Sequence, residues 1–251
     1  MAALTSLVGL GAAAPAGAAD IVRRPAPLVP VSQPAVARHN LDILLAGAWL
    51  DGDGFSSNTW GAVGAKLAVP LHSQWGLQVD AAIGTQDYSG IGGHLFWRDP
   101  AVGLFGFLAS TEAMNGARLT RYAVEGELYY GAMTFRGIAG GQSGTTDSPF
   151  ARLDVLFYAH PNFEVSLGGE FSSGHNLARV GMEWQPSTLA HLSSLSIFAD
   201  GEVGENGFAK ALAGVSFHFG SQGVSLIDRD RKYDPFFSLF NTFATAGYSG
   251  P

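Results

Sequence analysis

The chain contains no cysteine, so it has no thiol nucleophile, no cysteine zinc site and no disulfide. Charge is scarce as well: 14% of residues are charged, against about a quarter in ordinary soluble domains. Only 14 of the 251 residues are Lys or Arg and the net charge is -7, which leaves no basic footprint for nucleic acid. Nothing after the N-terminus runs about 18 apolar residues without a break, which excludes a helical membrane span in the mature chain. What is abundant is apolar and small: 47% hydrophobic, 12% aromatic and 34 glycines, the glycine about twice average usage. Apolar content diluted by this much glycine points to strands and tight turns rather than leucine-rich helices. The length suits a single core or a single barrel.

Leu4 to Ala14 form a short apolar stretch, followed by Pro15 and the small-residue run Ala16-Gly17-Ala18-Ala19. This is the pattern of a signal-peptide h-region with an A-x-A cleavage site, predicting removal of residues 1–19. Export without cysteine suits a Gram-negative envelope. Pro25, Pro27, Pro30 and Pro34 then interrupt any periodicity, so residues 20–40 read as an extended, Pro-rich periplasmic linker.

From Leu41 to Phe219 the chain breaks into segments of about ten residues that alternate with period two, the pattern of half-buried strands. Tyr122, Val124, Leu128 and Tyr130 share one face while Arg121, Glu125 and Glu127 share the other. Phe163, Val165, Leu167 and Phe171 alternate with Glu164, Ser166 and Glu170 in the same way, and Ala211, Ala213, Val215, Phe217 and Phe219 with Lys210, Ser216 and His218. The expected count is twelve, with ten as the nearest alternative.

Alternation alone does not separate a soluble sandwich from a membrane barrel. The polar faces carry formal charges at mid-strand, among them Lys66, Asp80, Arg136, Arg152, Asp154, Glu170 and Arg179. Connections alternate in kind: turns at Pro70, Pro100, Pro161 and Pro186 take turns with Gly-, Ser-, Asn- and Asp-rich stretches such as Asp51 to Asn58 and Gly141 to Ser148. An up-and-down barrel with tight periplasmic turns and looser outer loops predicts that parity, whereas a Greek-key sandwich scrambles it. Trp49, Trp60, Trp75, Trp97 and Trp184 all fall near predicted strand ends, where interfacial aromatic rings of membrane barrels sit.

With these features the chain resembles the Gram-negative outer-membrane β-barrel and porin-like proteins. Gly214-Val215-Ser216-Phe217-His218-Phe219 is similar to their C-terminal strand signal, and the resemblance covers about residues 41 to 219. It implies an all-β, closed, antiparallel transmembrane barrel in the outer membrane, with lipid around it and the insertion machinery reading its last strand. The chain departs from the pattern by continuing past Phe219.

Closure turns the polar faces inward, because an open edge in lipid strands backbone groups without partners. Lys66, Asp80, Glu125, Arg136, Arg152, Asp154, Glu170 and Arg179 are then expected to line the lumen as filter charges. No loop is long enough to fold in as a constriction, so these wall residues form the only expected filter of a narrow, porin-like passage for small polar solutes. A closed structural or partner-anchoring barrel is the alternative, and a lipid-modifying enzyme a more distant one. His191-Leu192-Ser193 is the sole base-and-hydroxyl candidate, on a connection assigned to the periplasmic end; with no H-E-x-x-H and no G-x-S-x-G, the expectation is no catalysis, no metal and no cofactor.

Residues 220–251 form a tail. Asp228, Arg229, Asp230, Arg231, Lys232 and Asp234 make a charge cluster, and after Pro235 the residues Phe236, Leu239, Phe240 and Phe243 recur at i, i+3, i+4 and i+7. That spacing predicts a short amphipathic helix begun by Pro235, packed on the barrel base or docking a periplasmic partner or the lumen mouth.

Overall fold

A computed structural model describes residues 33–53, 55–144, 147–172, 175–186 and 194–240. The expected signal peptide, most of the linker, His191, Ser193 and Phe243 lie outside these residues. The described chain forms twelve strands: β1 (Asn40–Gly52), β2 (Phe55–His72), β3 (Trp75–Gly84), β4 (Ser89–Asp99), β5 (Gly103–Met114), β6 (Ala117–Tyr130), β7 (Met133–Gly144), β8 (Ser148–His160), β9 (Phe163–Ser172), β10 (His175–Trp184), β11 (Leu195–Gly204) and β12 (Ala209–Phe219). A short helix, α1 (Leu226–Lys232), follows.

Each strand pairs antiparallel with its sequence neighbours, and β12 returns to β1 from Leu41↔Phe219 to Asp51↔Ala209, closing the barrel. The shortest strands have 10 residues, enough to cross a bilayer at a tilt. The faces divide as the alternation requires. On β1, Leu41, Leu45 and Trp49 are exposed while Asn40, Asp42, Leu44 and Ala48 are buried. Leu67, Val79, Phe105, Phe107, Val124, Leu153, Leu167 and Val180 continue the exposed apolar band. A water-facing surface of that extent is untenable for a soluble monomer, whereas lipid covers it. The chain is a closed, up-and-down, transmembrane β-barrel of the outer-membrane type.

Two sequence expectations need correction at the connections. At the end away from the termini, described connections are tight rather than loose: β5 and β6 join through Asn115 and Gly116, both with positive φ (49° and 83°), the backbone of a two-residue hairpin turn. Asn206 and Gly207 (54° and 68°) turn the β11–β12 hairpin similarly. Asp51 and Asn58 are strand residues, because the β1 and β2 ladders run almost to the turn. Pro70, expected at a turn, lies within β2 opposite Gly76, where the ladder shifts register near its end and a missing N–H costs least.

The termini end is covered from both sides of the chain. Residues 33–39, part of the expected linker, pack there: Ala35 N donates to Ser73 O (2.9 Å), Arg98 donates to Ala35 O (3.1 Å), and Val36 is fully buried among Ala68, Phe96 and Leu104. Helix α1 joins them, with Ala37 N donating to Lys232 O (2.7 Å) and Ile227 N to Pro161 O (3.1 Å). The helix therefore sits before Pro235 rather than after it. Its N-cap is Ser225, whose hydroxyl accepts from Asp228 N, with Asp228 in the first turn and Arg229, Arg231 and Lys232 in the last. That order complements the helix dipole.

Candidate functional site

The eight residues expected to line the lumen all lie on the inward face of the barrel, each at most 12% exposed at the side chain where it is ion-paired. Strand register places opposite charges side by side: Lys66↔Asp80, Arg136↔Asp154, Arg152↔Glu170 and Arg179↔Glu202. The contacts then run across as well as along the wall. Arg121 reaches Glu170 at 2.5 Å, Arg136 reaches Glu127 at 2.9 Å, and Arg152 reaches Asp154 at 2.7 Å. Arg179 meets Asp154, Asp200 and Glu202 at 3.0–3.4 Å. Lys66 bonds Asp42 at 3.2 Å. Buried charges persist only when paired and hydrogen-bonded, and this wall pairs most of its own.

Several lumen residues escaped the sequence reading as site residues: Asp42, Gln78, Tyr88, His94 and Glu112. For Asp42, Gln78, His94 and Glu112 the signal was inward parity on their own strands; Tyr88, in the connection before β4, carried none. The His94 ring bridges Glu125 (2.9 Å) and Asp80 (3.3 Å), and Glu112 accepts from Tyr88 OH at 2.5 Å.

The largest departure from expectation is what fills the lumen. The tail beyond α1 enters the barrel and runs along the inside of β3. At the termini end Asp234 accepts from Asn40 (3.0 Å) and pairs with Lys66. Phe236 O accepts from Gln78 at 3.2 Å, and the Phe236 ring stands edge-on to His94 and beneath the guanidiniums of Arg136 and Arg152. Ser238 gives both its N–H and its hydroxyl to Asp80 (2.8 and 2.6 Å). Near the far end Phe240 N donates to Glu112 (2.9 Å), and Phe240 O accepts from Lys210 (2.7 Å). Leu239 and Phe240 are buried in a cluster with Leu50, Trp60, Tyr88, Met114 and Leu119. Phe236, Leu239 and Phe240 therefore belong to an irregular, non-helical segment inside the wall, and the charged wall is not the only constriction. Their i, i+3, i+4 spacing is incidental: the backbone groups that a helix would bond internally are given to wall side chains instead.

Trp60 is corrected with them. It is 3% exposed and faces inward, its ring 4.9 Å from Tyr88 and 5.6 Å from Phe240. Trp49, Trp75 and Trp184 are exposed on the outer face, and Trp97 stands across the ladder from Trp75; Trp75, Trp97 and Trp184 lie near the termini end, Trp49 near the other.

Beside the tail, against β7 to β12, a cavity of about 170 Å³ remains, lined by Lys66, Arg136, Arg152, Asp154, Glu164, Arg179, Glu183 and Asp200, among others. It is polar and roomy enough for several waters. Next to it, Ser196 Oγ lies 3.0 Å from His218 Nε2, and His218 Nδ1 lies 2.9 Å from Asp42. The spacing is that of a serine hydrolase, but the chemistry is not. Ser196 gives its proton to Glu183 (2.5 Å) rather than to the imidazole, Ser196 is 0% exposed, and the His218–Asp42 contact lacks hydrogen-bond geometry. The group is part of the lumen network.

The sequence matches no protein-family model and no curated protein. Among solved structures the chain is similar to the KdgM porin solved with disordered oligogalacturonate (TM-score 0.55, 9% identity, 71% of this chain and 99% of that one). It is also similar to the NanC porin (0.50, 8%, 70% and 98%) and to outer membrane phospholipase A from Escherichia coli (0.50, 9%, 70% and 92%). At these identities the likeness is one of fold alone: a closed, antiparallel β-barrel.

Proposed function

We propose that this outer-membrane barrel is a narrow, porin-like passage for small polar solutes, running along the β7–β12 wall beside the tail. The observation that carries the reading is the 170 Å³ cavity with both signs of charge on its lining. Charges on a pore wall select by electrostatics, and a twelve-strand barrel lies between those filled by side chains and those with open channels. Lys66, Arg136, Arg152, Asp154 and Arg179 act as filter charges on that route. On the opposite wall Asp80 holds the tail through Ser238 and shares His94 with Glu125, while Glu170, on β9, is tied up by Arg121.

Single-channel recording of the purified full chain in planar bilayers tests this. Small, resolvable steps are expected, and Arg152→Glu should shift the reversal potential in a salt gradient toward cation preference. The filling of the lumen by the tail favours a second reading, a closed structural barrel. Absence of steps in the full chain and in tail-released variants alike would support that reading and remove the passage.

A further inference from the structure

We propose that the lumen carries a binding track for an extended peptide, that residues 234–240 are its resident occupant, and that a free peptide of the same kind binds once the tail is out. The ligand class is a short, aromatic-rich segment whose one charged side chain is an acidic residue at its start. The proposal concerns binding and stands apart from conduction.

The tail is held by its backbone, at every second residue. Phe236 O, Ser238 N and Phe240 N and O are bonded by Gln78, Asp80, Glu112 and Lys210 respectively. Two residues is the repeat of extended chain, and Gln78 and Asp80 are themselves two apart on one face of β3; the segment bends only at its end, at Leu239 and Phe240, where Phe240 has φ 70°. Backbone capture with pockets for particular side chains is the mode by which extended peptides are recognised. Glu112 makes the point chemically. It is 1% exposed and forms no ion pair among the described residues, and its hydrogen-bond donors are Tyr88 OH and Phe240 N. Without an occupant, a buried carboxylate loses the N–H it faces.

The wall is also shaped for an occupant. Inward positions of the neighbouring strands are glycine where the tail passes. A Cβ at Gly64 would meet the Phe237 ring at 2.7 Å, one at Gly90 would meet Leu239 at 3.3 Å, and one at Gly92 would overlap the Ser238 hydroxyl. At the start of the track, Lys66 and Asn40 take the Asp234 carboxylate.

The test uses the full chain with Ser238→Pro, which removes the N–H that Asp80 accepts and leaves every wall residue in place. The probe is a fluorescein-labelled heptapeptide of sequence DPFFSLF, read by fluorescence anisotropy in detergent micelles. Saturable binding at least 10-fold tighter than to wild type is expected. It should fall at least 10-fold when Asp80→Asn is added, and it should be absent for a peptide carrying Pro in place of its Ser. No binding to the released chain, or equal binding with and without Asp80→Asn, overturns the proposal. If Ser238→Pro loses heat-modifiable migration, Phe240→Asp, which sets a carboxylate against Glu112, is the second release variant and the same outcomes decide. Bilayer recording of that variant separates the two readings: peptide binding without current removes the passage and keeps the track, while current that the peptide neither blocks nor alters, with no anisotropy change, removes the track.

Discussion

Arg179 concentrates the electrostatics of the lumen, since one guanidinium faces three acids. Replacing one partner of a buried ion pair leaves charge uncompensated, at a cost of about 3–5 kcal/mol where the site is dry. Arg179→Met is therefore expected to lower the urea midpoint of the folded, heat-modifiable gel band, by a shift that multiplied by the m-value falls in that range. An unchanged midpoint would mean that water in the neighbouring cavity solvates Asp154, Asp200 and Glu202. At this scale the sequence was legible in parity but not in partner. Alternation told which side Arg179 and Glu170 occupy, but not that Arg121, on β6 and three strands from β9, is the residue that reaches Glu170. Trp60 shows the limit most clearly. Position near a strand end is shared by interfacial and lumen tryptophans, and only strand parity against Ala62 and Gly64 distinguishes the two.

The twelve strands were readable because each carries its own instruction: apolar out, polar in, over a length a bilayer sets. The tail was not, because its conformation is dictated by partners distant in sequence, such as Gln78, Asp80 and Glu112. Phe236, Leu239 and Phe240 have helical spacing, yet wall donors and acceptors compete successfully for their backbone. Helix α1 was hidden for the opposite reason, its residues reading only as a charge cluster although Ser225 and Asp228 form a cap. On α1, outside the membrane span, partial burial pushes the Asp228 carboxyl up, but hydrogen bonds from Lys232 and Ser225 outweigh this and hold it below its ordinary value. A depressed carboxyl stabilises the docked helix above the ordinary aspartate range, and that contribution is lost as pH falls through the lower, folded value. Hydrogen exchange of residues 226–232 should be flat from pH 7 to about 4, after correction for the intrinsic rate, and accelerate below that. Acceleration beginning near pH 6 would assign the docking to a different group.

For the whole molecule, closure and occupancy are separable. The seam between β1 and β12 uses only strand residues, while the tail contributes Leu239 and Phe240 to one of the buried clusters. A chain ending before Asp228 is expected to migrate as a folded barrel on unheated gels yet lose that band at a lower temperature than the full chain. Loss of the band at every temperature would make the tail part of the closing core. Fold class followed from composition and alternation because lipid imposes one solution on strands of this kind. The content of the lumen did not, because nothing local marks a segment as an internal guest.

The occupant is also tied to its host. Only residues 220–225 separate β12 from α1, and α1 is fastened to the rim through Arg229 to Gln185 and Arg231 to Met133 O. A segment on so short a leash is never diluted; its local concentration is of millimolar order whatever the amount of protein present. Competitors in free solution therefore face a rival that mass action hardly disadvantages. Unblocking the barrel becomes a question of how quickly the leash lets go, set at the rim rather than in the channel.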